Sequence, residues 1–227
     1  MSDTFAKQIL DYHFTLPTKL ALTKGVEMLY PFSNTDTISV MTSFFNKYYH
    51  DNNPRHFIFG INPGRFGSGI TGVGFTDAQH LESHCGISNS FSKRVETSSE
   101  FIYEVIEAYG GSKKFYEDFY ITSVSPVGFT KEGNNYNYYD DKALSAKLEK
   151  FIVNNIKTQL NFGQKNRDII CIGQGKNLKY LQELNKKHEL FENIHALPHP
   201  RWVMQYKRKE KSKHIDAYLE VFEKLQN

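Results

Sequence analysis

Cysteine is scarce in this chain: Cys85 and Cys171 are the two in 227 residues, far apart in sequence. Two thiols cannot supply the four thiolates of a Cys-ligated iron–sulfur cluster within one chain. So little cysteine suits a reducing cytoplasm, where the protein is expected to work. Cys171 falls inside an apolar run and is expected to be a small core residue. No run of 18 apolar residues occurs, so no membrane-spanning helix is expected. The segment Met1 to Pro17 lacks a basic stretch followed by an apolar one, so no secretory signal is expected. Neither sign of charge dominates: 28 Lys and Arg against 25 Asp and Glu leave a net charge of +3, weak evidence for any partner.

Familiar catalytic signatures are missing too. No P-loop is present, because no Lys follows the first glycine cluster. Gly64, Gly67 and Gly69 run G-x-x-G-x-G, the reverse of a dinucleotide fingerprint. His80 and His84 are four apart, but Leu81 stands where H-E-x-x-H needs Glu, so both are expected at the surface. Gly67-Ser68-Gly69 lacks the spacing of a nucleophile elbow. No metal-ligating set is apparent, and no metal or cofactor is expected.

What the chain does have is a glycine-rich stretch from Gly60 to Phe75, with glycines also at 64, 67, 69, 72 and 74 and a proline at 63. It follows His56-Phe57-Ile58-Phe59, which reads as a buried parallel strand. Such a stretch can continue neither strand nor helix. Its backbone must turn sharply and pass close to something. A second cluster, Gly173-Gln174-Gly175-Lys176, follows Ile169 to Ile172 and reads as a tight strand-to-helix turn.

The rest of the chain alternates. Helices are predicted over Ala6–Leu16 and Asp36–Tyr49, ahead of a first strand over His56–Ile61. Thr97 to Glu100 has a capping-box pattern that opens a helix running to Gly110-Gly111. Strands follow at Asp118–Ser125, Asp168–Ile172 and Phe191–Leu197. Helices fall at Asp141–Leu160, Asn177–His188 and Ile215–Leu225. This order predicts an α/β fold of three layers, α/β/α, around a central, mostly parallel four-stranded sheet. The chain reads as a single domain over residues 1–227, with an N-terminal helical portion to about residue 52.

Ligands of such sheets bind at the carboxyl ends of the strands. Asn62 follows the first strand, Ser123 or Ser125 ends the second, and His199 follows the fourth between Pro198 and Pro200. A histidine between two prolines is presented in a fixed direction. An amide can hold a water, and an imidazole can stabilise a developing anion. Hydrolysis of an N-glycosidic bond to a nucleobase needs little more. Two further features stay open. Lys207, Arg208, Lys209, Lys211 and Lys213 form either a solvated helix face or a phosphate-contacting patch. Tyr136, Tyr138 and Tyr139 either stack on bases or pack down.

At these residues the chain resembles a known family. Gly60-Ile61-Asn62-Pro63-Gly64-x-Phe66-Gly67, with Thr71-Gly72-Val73-x-Phe75, is similar to the first motif of the single-strand-selective monofunctional uracil-DNA glycosylases. His199-Pro200 is similar to the start of their second motif. The resemblance implies a uracil-DNA glycosylase-like fold, in a divergent bacterial branch, and a monomer acting on DNA, single- or double-stranded. Asn62 would orient the attacking water and His199 stabilise the departing base. Phe75 would stack on the flipped base. Gly64 and Ser68 would line the water site, and Gly72 would leave room for base or phosphate. Arg201 and Trp202, with Lys207, Arg208 and Lys209 beyond, would fill the vacated stack and grip phosphates. Ser123 stands where the family has a base-reading Asn, so hypoxanthine or xanthine are expected substrates besides uracil. The product would be an abasic site for base excision repair. A free-nucleoside hydrolase and a catalytically weak nucleic-acid-binding module are the alternatives.

Overall fold

The computed structural model describes residues 3–226. Helix α1 (Phe5–Phe14) starts at Thr4, whose hydroxyl accepts from the Lys7 N–H at 3.2 Å. A short strand β1 (Val26–Leu29) separates it from α2 (Thr35–Tyr48). Asn34 caps α2 by accepting from the N–H groups of Asp36 and Thr37 at 2.9 and 3.0 Å, which meets two of the donors a helix start leaves open. The N-terminal portion expected to be helical thus also carries a strand.

Strand β2 (Arg55–Gly60) is buried along its whole length, as its apolar run requires. Two short helices, α3 (Ser68–Thr71) and α4 (Ala78–Ser83), lie in the segment after it. Helix α5 (Thr97–Tyr109) begins one residue earlier than a capping box would place it. Its N-cap is Glu96, which offers no side-chain cap. Gly110, at φ +119°, closes α5, and α6 (Gly111–Asp118) starts at once. The glycine pair is therefore a corner between two helices, and the second helix was not expected. Strand β3 (Phe119–Ser123) follows.

Strands β4 (Gly128–Lys131) and β5 (Asn134–Tyr136) form a hairpin whose turn residues, Glu132 and Gly133, have φ of +51° and +71°. Two positive φ values suit the twist of a two-residue hairpin. With β1 they build a three-stranded antiparallel sheet, order β1-β4-β5, that the sequence did not announce. The remaining elements are α7 (Lys142–Leu160), β6 (Gln164–Ile172), α8 (Lys176–His188), β7 (Ile194–Leu197), α9 (Pro200–Tyr206) and α10 (Lys211–Gln226).

The central sheet has the order β3-β2-β6-β7 with every pairing parallel. Helices flank it, giving the expected α/β architecture. Register brings Gly60 opposite Ser123 and Ile172 opposite Leu197, so the carboxyl ends of the strands finish together. The core is aromatic on one side: the Phe5 ring meets those of Tyr49, Phe57 and Tyr120 at 5.4–6.2 Å. Arg55 is fully buried there. Its guanidinium is held by the Asp51 carboxylate and lies 5.1 Å from the Phe5 ring. A buried charge persists only when paired and hydrogen-bonded in this way. Among the described residues no helix is long and apolar enough to cross a membrane.

Candidate active site

The loop after β2 is shaped by what would collide with it. A Cβ on Gly60 would sit 3.0 Å from the Phe75 ring, and one on Gly69 2.5 Å from the Gly64 carbonyl. The strand end and the turn therefore need glycine. Asn62 follows, and its amide is fixed at both ends. Its Nδ2 donates to the Tyr136 carbonyl at 3.3 Å, and its Oδ1 accepts from the Tyr138 N–H at 3.3 Å. One lone pair of Oδ1 is left for a further donor such as a water.

These partners settle the tyrosine segment. Tyr138 is fully buried, and its hydroxyl donates to Asn177 Oδ1 at 2.6 Å. It cannot stack on a base. Tyr136 and Tyr139 are half-buried against the core. The segment packs down, and its backbone aims Asn62.

His199 is fixed with equal care. Tyr218 on α10 donates to the Pro198 carbonyl at 2.6 Å and anchors the Pro-His-Pro segment. His199 is the N-cap of α9, and its Nδ1 accepts from the Arg201 N–H at 3.2 Å. An acceptor Nδ1 puts the proton of the neutral ring on Nε2. Burial, aided by the Arg201 charge, lowers the His199 pKa to about 4. The ring is therefore a neutral Nε2–H donor near pH 7. Its centroid lies 5.9 Å from that of Phe75, which is held at φ +50°, a left-handed conformation rare for a bulky residue.

Asn62, Gly64, Ser68, Phe75, Ser123 and His199 line one cavity of about 140 Å³, with Arg201 at its edge. That is small beside the roughly 300 Å³ or more of sites for drug-sized ligands. Of the two serines considered, Ser123 faces the cavity. Ser125 is fully buried and donates to the Val127 carbonyl at 2.8 Å.

Other expected residues lie elsewhere. Gly72, at φ +72°, packs against α2, where a Cβ would collide with Met41. It does not line the cavity, so the geometry gives it a packing role and not that of leaving room for a base. Trp202 is 42% exposed on α9 and borders a second groove of about 610 Å³ that shares Asn137, His199 and Arg201 with the cavity. The basic run is no continuous helix face, because it spans the turn from α9 into α10. Lys207 pairs with Glu210 at 3.1 Å, Arg208 with Glu100 at 3.5 Å, and Lys211 with Glu104 at 2.6 Å. Lys209 is exposed. His80, expected at the surface, is 7% exposed and donates from Nδ1 to Asp77 at 2.8 Å.

Five cavity residues were not expected there: Ile61, Glu96, Ser98, Asn135 and Asn137. The two asparagines arrive on or just after β5. Glu96 sits in a polar stretch ahead of α5 and carries no local signal.

A family model described as the uracil DNA glycosylase superfamily matches residues 47–223. The chain belongs to that superfamily and is a DNA glycosylase, a hydrolase of DNA repair. Its structure superposes on the crystal structure of wild-type Pedobacter heparinus SMUG2 with a TM-score of 0.95. The two share 42% identity over 100% of both chains. No curated protein gives a match.

Proposed function

We propose that this glycosylase flips a deaminated base out of DNA into the cavity and hydrolyses its N-glycosidic bond with water as nucleophile. The single observation that carries the reading is the convergence of a fixed amide, a neutral imidazole donor and an aromatic face on one small cavity. Phe75 stacks on the base. Asn62 accepts a hydrogen bond from the water through the free lone pair of Oδ1 and orients it toward C1′. The C1′–N bond breaks, and its electron pair leaves with the base. His199 Nε2–H donates to the carbonyl oxygen where that charge collects. A preorganised donor is strongest where charge develops.

Uracil is the first substrate. Ser123 offers one rotatable hydroxyl where an amide would offer a donor and an acceptor, which supports acceptance of hypoxanthine or xanthine as well. Among the described residues no lysine lines the cavity, which supports a monofunctional enzyme, because Schiff-base chemistry needs an amine. The test is incubation with a uracil-containing oligonucleotide followed by alkali. Breakage after alkali alone supports the reading. Breakage without alkali would make the enzyme a lyase, and none at all would reject uracil excision.

A further inference from the structure

Asn62 can orient a water but cannot take its proton, since an amide is not a base at neutral pH. Among the described residues the cavity holds one carboxylate, and it belongs to Glu96. Its side chain is only 15% exposed. The carboxylate lies against the loop that carries Asn62: a Cβ on Gly67 would collide with Oε2, and one on Gly64 would come 3.3 Å from Oε1. A side chain at Gly67 would push the carboxylate out of this position. The backbone is anchored as well, because the Glu96 N–H donates to Asp77 Oδ2 at 2.7 Å, and Asp77 is itself fully buried. Arg201 is the cation that pairs with it, and its Nη2 is 3.9 Å from Oε1, long for a hydrogen bond. A single contact of that length leaves carboxylate lone pairs open to a water in the cavity.

We propose that Glu96 takes the proton of the attacking water. The proposal rests on the glycosylase reading above. The water oxygen bonds to C1′ as the C1′–N bond breaks and its electron pair leaves with the base. The water proton passes to the Glu96 carboxylate, and the acid formed returns it to solvent or to the departed base anion.

The surroundings tune the group for this task. Burial raises the Glu96 pKa, Arg201 on α9 lowers it, and Asp77 ahead of α4 raises it. Among the described residues, His199 and Arg201 are the titratable groups that share the cavity with Glu96. A base works best with a pKa shifted toward the working pH.

The experiment measures single-turnover rates on a uracil-containing single strand, at saturating enzyme, across pH. The wild type is expected to gain rate through an acidic limb and then level off. Glu96→Gln is expected to lose about 10²–10⁴-fold on the plateau, the range for general-base catalysis, and to lose the limb. DNA affinity should stay within about twofold, since DNA binding rests mainly on phosphate contacts. Formate should partly restore Glu96→Ala but not Glu96→Gln. Arg201→Ala keeps the carboxylate and should move the limb to higher pH also in a His199→Ala background, where the other group that Arg201 lowers is gone, which decides the matter even if both Glu96 variants fail to fold. An unchanged limb in Glu96→Gln, a loss confined to affinity, or a limb in Arg201→Ala that does not move would overturn the proposal and leave the glycosylase reading intact. A wild type silent on uracil would instead overturn that reading and the proposal with it.

Discussion

The neutrality of His199 has a consequence that can be measured atom by atom. Its pKa is lowered from 6.5 to about 4 by burial, with Arg201 adding to the effect. At pH 7 about one ring in a thousand is then charged, against about one in four for an ordinary histidine. The difference corresponds to about 3 kcal/mol disfavouring the imidazolium, at 1.36 kcal/mol per pKa unit. Its Nδ1 is occupied by the Arg201 N–H at 3.2 Å, so the proton sits on Nε2. A side-chain nitrogen NMR titration, assigned with His199→Ala, is expected to show an Nε2–H tautomer and a midpoint near 4. The folded pKa lies below the unfolded one, so the unfolded state binds more protons between about pH 6.5 and 4. Stability contributed by the neutral ring is therefore present above that window and is lost as pH falls through it. His13, lowered to about 4 by burial, acts in the same direction. His199→Ala should flatten this dependence in part and slow base release by about 10²–10³, the usual loss for one donor in an anion site. A midpoint at the ordinary value, or a proton on Nδ1, would refute the neutral-donor mechanism.

Ser123→Asn should shift the ratio of single-turnover rates toward uracil over hypoxanthine, because a paired amide rejects mismatched edges more strongly than a hydroxyl does. A ratio that stays put or moves toward hypoxanthine would remove Ser123 as the base reader. Reversing the charges of Lys207, Arg208 and Lys209 should weaken DNA binding and flatten its salt dependence, by roughly 0.7–0.9 in log–log slope for each phosphate no longer neutralised. An unchanged slope would leave the run with its acidic neighbours Glu100 and Glu210 alone. Gly72→Ala should lower the unfolding free energy by about 1–3 kcal/mol, from a strained φ and overpacking against Met41, with the preference among bases unchanged. A changed preference with normal stability would return Gly72 to the cavity wall.

Much of the scaffold was legible because its strands are short, continuous apolar runs. Phe57–Phe59 and Ile169–Ile172 are buried on both faces, so every position is hydrophobic and period gives way to length and punctuation. Asn62 and His199 were legible for a related reason. Glycine and proline mark where the chain leaves the sheet, and polar groups placed there face the cavity. The antiparallel sheet was not legible. Asn134–Tyr136 has the composition of a loop and is a strand only because β4 pairs with it. Helix α6 was hidden by Gly110-Gly111, a signal that ends one helix and here also begins the next. Tyr138 was left open between stacking and packing down, and Glu96 was missed, because their roles exist only after folding. One is bonded to Asn177 across the chain, and the other is carried to the loop that holds Asn62 by the start of α5.

The central claim is that Asn62 holds the water that breaks the glycosidic bond. Asn62→Ala removes the amide and leaves the cavity walls in place. The decisive measurement is its single-turnover rate on a uracil-containing strand, with circular dichroism and DNA affinity measured on the same sample. A fall on the order of 10²–10³ at unchanged fold and affinity is expected. Wild-type turnover by a folded Asn62→Ala would contradict the mechanism at its root.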